Sequence, residues 1–157
     1  MSAEIREAKL EDVAALIDLM QHAHAEGGFV LNREIALAAF TALLNDRSHG
    51  AAWIALRDQK PEGYLVLTFK LSMESGGLDA FIEDIVVYRE ARRSGVGSAL
   101  MTEAIAECRR TGISAVHVEI GAGDEAAKSF YARCGLKNRG HTILTVALRE
   151  NLLARPL

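Results

Sequence analysis

The chain is poor in cysteine and proline, with two of each in 157 residues, and it has no apolar run long enough to span a bilayer. Cys108 and Cys134 lie far apart in stretches that read as helix and make no CxxC pair. That excludes a disulfide framework and leaves two reduced core thiols. His22 and His24 are two residues apart, so they cannot share a helix face, and no metal site is expected. There is no basic excess either. The net charge of -3 argues against a nucleic-acid partner, because phosphate-backbone binding needs a broad basic face. Glu4, Arg6, Glu7 and Lys9 make the N-terminus unlike a signal peptide, and the expected location is the cytoplasm, off the membrane. Repeats, low-complexity tracts and interdomain linkers are missing too, so residues 1–157 read as one domain.

What is present has a globular balance, half hydrophobic and a quarter charged, enough for a full core. Ile5 to Ala8 reads as a short strand and Glu11 to His24 as an amphipathic helix ended by Gly27-Gly28. Asn32 is an N-cap candidate for a second helix running to about His49. Strands follow at Ala51 to Arg57 and Gly63 to Lys70, linked by the hairpin segment Asp58 to Glu62. A strand from Ala80 to Val87, a helix from Gly95 to Arg110 and a strand from Ala115 to Ile120 then form a βαβ unit. A helix from Glu125 to Cys134 and a last strand from His141 to Leu148 close the pattern. Ligands of such sheets bind beyond the carboxyl ends of the parallel strands, here Val87 and Ile120.

Directly after Val87 comes Arg92-Arg93-Ser94-Gly95-Val96-Gly97-Ser98, at a helix N-terminus. The first backbone N–H groups of a helix are unpaired and the macrodipole is positive there. Two glycines let those amides approach phosphate oxygens, two arginines add charge, and Ser98 supplies a hydroxyl. The Rossmann fingerprint requires a third glycine where Leu100 stands, and a P-loop requires a Gly-Lys-Ser/Thr ending that is missing.

Arg92-x-x-Gly95-x-Gly97 and Asp124-x-x-Ala127-x-x-Phe130-Tyr131-x-x-x-Gly135-Leu136 together resemble the two signature stretches of the GNAT family of N-acetyltransferases. The resemblance covers essentially the whole chain. It implies an α/β fold with a mixed central sheet of about six to seven strands, flanked by helices and containing a splayed parallel pair. It implies acetyl-CoA as cofactor and direct acetyl transfer to an amine. Carried over by position, Arg92, Arg93, Ser94, Gly95, Val96, Gly97 and Ser98 would hold the pyrophosphate. The backbone of Ile85, Val86 and Val87 would pair with the pantetheine arm, and Asp124, Ala127 and Tyr131 would line the rest of the cofactor site. Asp124 stands where the family has Asn, and Leu136 where it has Phe. The family also implies a homodimer.

Amine acetylation needs a base for the ammonium and an acid for the leaving thiolate. Tyr131 matches the family's acid. Glu83 is the leading base, because a carboxylate in an apolar strand is costly unless hydrated, paired or used, and Ile82-Glu83-Asp84 resembles the polyamine-acetylating branch, whose glutamate takes the proton directly or through water. Strict alternation puts Phe81, Glu83, Ile85 and Val87 on one face of that strand, with Ile82, Asp84 and Val86 on the other. His117 is the alternative base. Glu26, Glu74, Glu83 and Asp84 would suit a small cationic acceptor: a polyamine, a diamine or a basic amino acid. Acetylation of a protein amine and a non-catalytic acyl-CoA-binding domain are the alternatives.

Overall fold

The structure, a computed structural model, describes residues 2–148. β1 (Glu4–Glu7) leads through a 3-10 turn (Leu10–Asp12) into α1 (Val13–Glu26) and α2 (Arg33–Asn45). Three strands follow: β2 (Gly50–Arg57), β3 (Lys60–Ser72) and β4 (Gly77–Val87). A second 3-10 turn (Arg89–Ala91) precedes α3 (Val96–Arg110), β5 (Val116–Val118) and α4 (Glu125–Arg133). The sheet order is β1-β2-β3-β4-β5, antiparallel except for the parallel β4–β5 pair.

Local chemistry accounts for most of the boundaries. The Asn32 side chain accepts from the Glu34 and Ile35 amides at 3.1 and 3.2 Å and so starts α2 as expected. The β2–β3 hairpin is tighter than the Asp58-to-Glu62 link anticipated. Asp58 and Gln59 take positive φ values of 48° and 64° and turn the chain alone, so Lys60-Pro61-Glu62 joins β3. At the N-terminal end, Asp12 accepts both Arg6 guanidinium nitrogens at 2.8 Å and fixes α1 to β1. That pairing holds the Asp12 carboxyl below its ordinary range.

Two apolar layers cover the sheet. On one side, Leu16, Leu19 and Phe40 of α1 and α2 pack on Ile54, Tyr64, Val66 and Val86. On the other, Leu100 and Met101 of α3 and Tyr131 of α4 pack on Trp53, Leu65, Leu67 and Ile82. Because β2 lies between both layers, all its residues but the last are buried, and it reads as a continuous apolar run.

Two expectations fail at the C-terminal side. The last strand, His141 to Leu148, is not formed, which leaves five strands in place of six or seven. Ile143, Leu144, Val146 and Leu148 are 56%, 92%, 77% and 89% exposed. The β-branched pattern is there, but a strand without a neighbour has nothing to pair its backbone groups with. β5 is likewise cut from the anticipated Ala115–Ile120 to Val116–Val118, the length over which β4 lies beside it.

Candidate active site

β4 carries the site because it changes neighbours along its length. It pairs with β5 only from Ala80 to Ile82, while its pairing with β3 continues to Val87. The strands therefore separate beyond Ile82 and leave one edge of the Glu83-to-Val87 segment without a strand neighbour. Ile85, Val86 and Val87, expected to bind the cofactor arm through their backbone, lie along this opening. The Val87 carbonyl already accepts from Arg92 Nε at 3.0 Å.

A bulge sits where the strands part. Val66 faces Asp84 and Leu67 faces Ile82, so Glu83 is the extra residue. The bulge overturns the strict alternation expected of this strand. Ala80, Ile82, Ile85 and Val87 all pack in the α3-side layer, while Val86 packs in the α1/α2-side layer. Both carboxylates next to the bulge share a face. Glu83 Oε1 accepts from Thr68 Oγ1 at 2.8 Å, and Asp84 Oδ2 accepts from Tyr64 Oη at 2.5 Å. Thr68, Val66 and Tyr64 alternate regularly along β3, which places that face on the α1/α2 side.

β5 adds to the same face. His117 stands opposite Phe81, and their rings stack at 4.8 Å, 29° apart. His117 Nε2 donates to Asp79 Oδ2 at 3.2 Å. Phe81, Ile82, Glu83, Glu119 and Gly121 then line a cleft of about 290 Å³ where the strands diverge. Glu119 was missed as a site residue, since only the β4–β5 register brings it beside Glu83; Phe81 shares the face of Glu83 by alternation but was not singled out. Glu74 does not join this lining, and Glu26 is drawn elsewhere: its Oε2 accepts from Arg92 Nη2 at 2.6 Å. The neighbouring guanidinium holds Glu26 below the ordinary carboxylate range.

The α3 side is built from main chain. Gly95, at φ 88°, caps α3 in the left-handed conformation that glycine adopts freely, and no side chain caps the end. The first intrahelical bond runs from Ala99 N to Gly95 O, so the Val96, Gly97 and Ser98 amides have no helical partner. Arg93 is also left-handed, at φ 63°, and alternation of handed residues curves successive N–H groups into an anion nest. Arg92, Arg93, Ser94 and Gly95 are exposed. Nothing lies within 4 Å of where a Gly95 Cβ would stand, so this end has room for a phosphate. The residues present fit the pyrophosphate of coenzyme A. Ser94 Oγ donates back to Ala91 O at 2.6 Å and holds the turn.

α4 closes this side. Asp124 caps it, accepting from the Ala127 amide at 2.9 Å. A Cβ on Gly97 would stand 3.4 Å from the Phe130 ring, so the second glycine of the loop also lets α4 pack close. Tyr131 is buried against the α3 layer. Burial first, then the Asp84 charge, pushes its phenol up to about 12, so it stays protonated at neutral pH.

An exposed helix end thus lies on one side of a split sheet, and two carboxylates lie on the other. The chain belongs to the acetyltransferase (GNAT) family, whose model matches residues 13–136, and it is an N-acetyltransferase. Members of this family generally use acetyl-CoA. The chain is similar to integron cassette protein HFX_CASS3 from the Cole Harbour Salt Marsh mobile metagenome, at 34% identity and TM-score 0.87, over 94% of this chain and 92% of that one. A possible acetyltransferase from Clostridium difficile 630 shares the fold at 20% identity and TM-score 0.85, over 96% and 100% of the chains. So does aminoglycoside acetyltransferase meta-AAC0020 from an uncultured soil metagenomic sample, solved with sisomicin, at 20% identity and TM-score 0.78, over 94% and 97%. No curated protein matches the chain. Among the described residues, no helix is long and apolar enough to cross a membrane.

Proposed function

We propose that the protein transfers the acetyl group of acetyl-CoA directly to a primary amine of a small cationic molecule, of the polyamine, diamine or amino-acid-like class. Acetyl-CoA, when bound, supplies an activated acyl carbon with a thiolate leaving group. The Val96 to Ser98 amides and the Arg92 and Arg93 side chains hold its pyrophosphate. The open edge of Ile85 to Val87 aligns its amide-bearing arm. Glu83, fixed by Thr68, takes a proton from the acceptor ammonium, and Tyr131 gives one to the departing sulfur.

The observation that carries this reading is that Glu83 lies on one side of β4, where β4 parts from β5, while Tyr131 packs on the other. Such an arrangement lets amine and thioester meet from opposite sides with a base behind one and an acid behind the other. Glu83 and Glu119 in one cleft favour a cation over a neutral acceptor. A cytoplasmic homodimer completes the reading, on the habit of the family. The test is mass spectrometry of products from a mixed panel of polyamines, diamines, amino acids and peptides, with thiol release followed in parallel. Acetylated small amines are expected. Preference for peptides would move the acceptor to the protein class, and cofactor binding without thiol release from any amine would make the chain a binding domain.

A further inference from the structure

Of the five lysines in the chain, Lys70 is the one whose ammonium lies over a ring that lines the cleft. Its Nζ lies 5.5 Å from the centroid of Phe81, the ring that lines the cleft beside Glu83 and Glu119. Lys70 shares a face of β3 with Thr68, the residue that holds Glu83. The two are separated by about 7 Å along the strand, a gap that the flexible four-carbon stem of lysine covers. Lys70 is exposed, so its head group moves without breaking a packed contact.

We infer that Lys70 is itself an acceptor: the enzyme acetylates this lysine in cis when acetyl-CoA is bound and no external amine is present. The inference rests on the transferase reading above. The ring of Phe81, one wall of the cleft, attracts the ammonium electrostatically. Tethering replaces an encounter with a local motion, which raises the effective concentration of this amine above that of any other lysine.

The step balances. The Lys70 ammonium gives one proton to Glu83, and the neutral nitrogen forms a bond to the acyl carbon as the carbon–sulfur bond breaks. The electron pair leaves with sulfur, which takes the Tyr131 proton. A second nitrogen proton restores the phenol through solvent, and Glu83 releases its proton. The products are an amide at Lys70, the free thiol and one proton. Acetylation also erases the positive charge over Phe81, which an incoming cation would otherwise meet.

The full chain is incubated with acetyl-CoA alone and its lysines are mapped by peptide mass spectrometry, with a small-amine panel run alongside. Lys70 should acquire one acetyl group at least about tenfold faster than any other lysine. The rate should be independent of chain concentration and lost in Tyr131→Phe, while Lys70→Arg should take up no acetyl group at this position. Before any cofactor is added, NMR of the reductively methylated chain should show a ring-shifted Lys70 resonance that relaxes to the solvent value in Phe81→Leu. Equal labelling of all five lysines, or an unchanged Lys70 rate in heat-denatured chain, would mark plain chemical acetylation and overturn the inference. Turnover of external amines with Lys70 unmodified overturns it and leaves the transferase reading intact, whereas silence toward both sinks the two together.

Discussion

On the α3 side of β4 the site is made of backbone: three helix-end amides, a left-handed glycine, and the stretch of β4 that lies past its pairing with β5. On the α1/α2 side it is made of side chains from three strands: Thr68 and Tyr64 from β3, Phe81, Glu83 and Asp84 from β4, and His117 and Glu119 from β5. In the proposed reading the first surface meets a cofactor common to the family, and backbone donors survive most substitutions. The second varies with every side chain. A single bulge shapes both, because it turns Asp84 to the α1/α2 side beside Glu83 while Ile82 and Ile85 stay on the α3 side.

The largest break between the two surfaces is expected at the acid. Tyr131→Phe should lower kcat by roughly a hundredfold or more, within the range for loss of a general acid. Coenzyme A affinity, measured by calorimetry, should stay within about twofold, because the phosphate loop is untouched. Next comes the loop itself. Gly95→Val forces a β-branched residue to φ 88°, at a cost of about 1–2 kcal/mol, and should weaken coenzyme A binding by roughly tenfold. Acceptor KM at saturating cofactor should change little, and a matching loss there would show that the two surfaces are not separable.

Smaller effects test the acceptor side. Thr68→Val removes the hydroxyl that donates to Glu83 and should cut kcat/KM for the amine by roughly threefold to tenfold, consistent with one hydrogen bond to a charged group at an exposed position. Cofactor affinity should not move. The smallest change is a shift in pH profile. The Asp84 charge disfavours tyrosinate and so raises the Tyr131 pKa, after burial, to about 12. Removing that charge in Asp84→Asn lowers this pKa, so the alkaline fall in rate should begin at lower pH than in the parent chain. An unmoved alkaline limb would detach Tyr131 from the rate-limiting proton transfer.

The exposed helix end after β4 was legible in the sequence. Arg92 to Ser98 lies within seven consecutive residues, and a strand end, two glycines and a helix start are all local signals. Even there, Asp124 and Ala127 turned out to be bonded to each other as a helix cap, a role that Asn in that position would also serve. On the acceptor surface, Glu83 was found because a carboxylate in an apolar strand is conspicuous. Its face, its Thr68 partner and its meeting with Glu119 were not, since each depends on register between strands distant in sequence. The His141–Leu148 pattern misled for the same reason: alternation describes a strand's faces but not whether a neighbour exists to pair with.

Residue order alone, then, determined the features that a short segment can express: helix caps, turn glycines and the exposed helix end after β4. The tertiary structure alone decided where β4 leaves β5, which residue bulges, and which charges share the cleft. Those are pairings between β3, β4 and β5, and a hydrogen-bonded ladder has no register until its strands lie side by side.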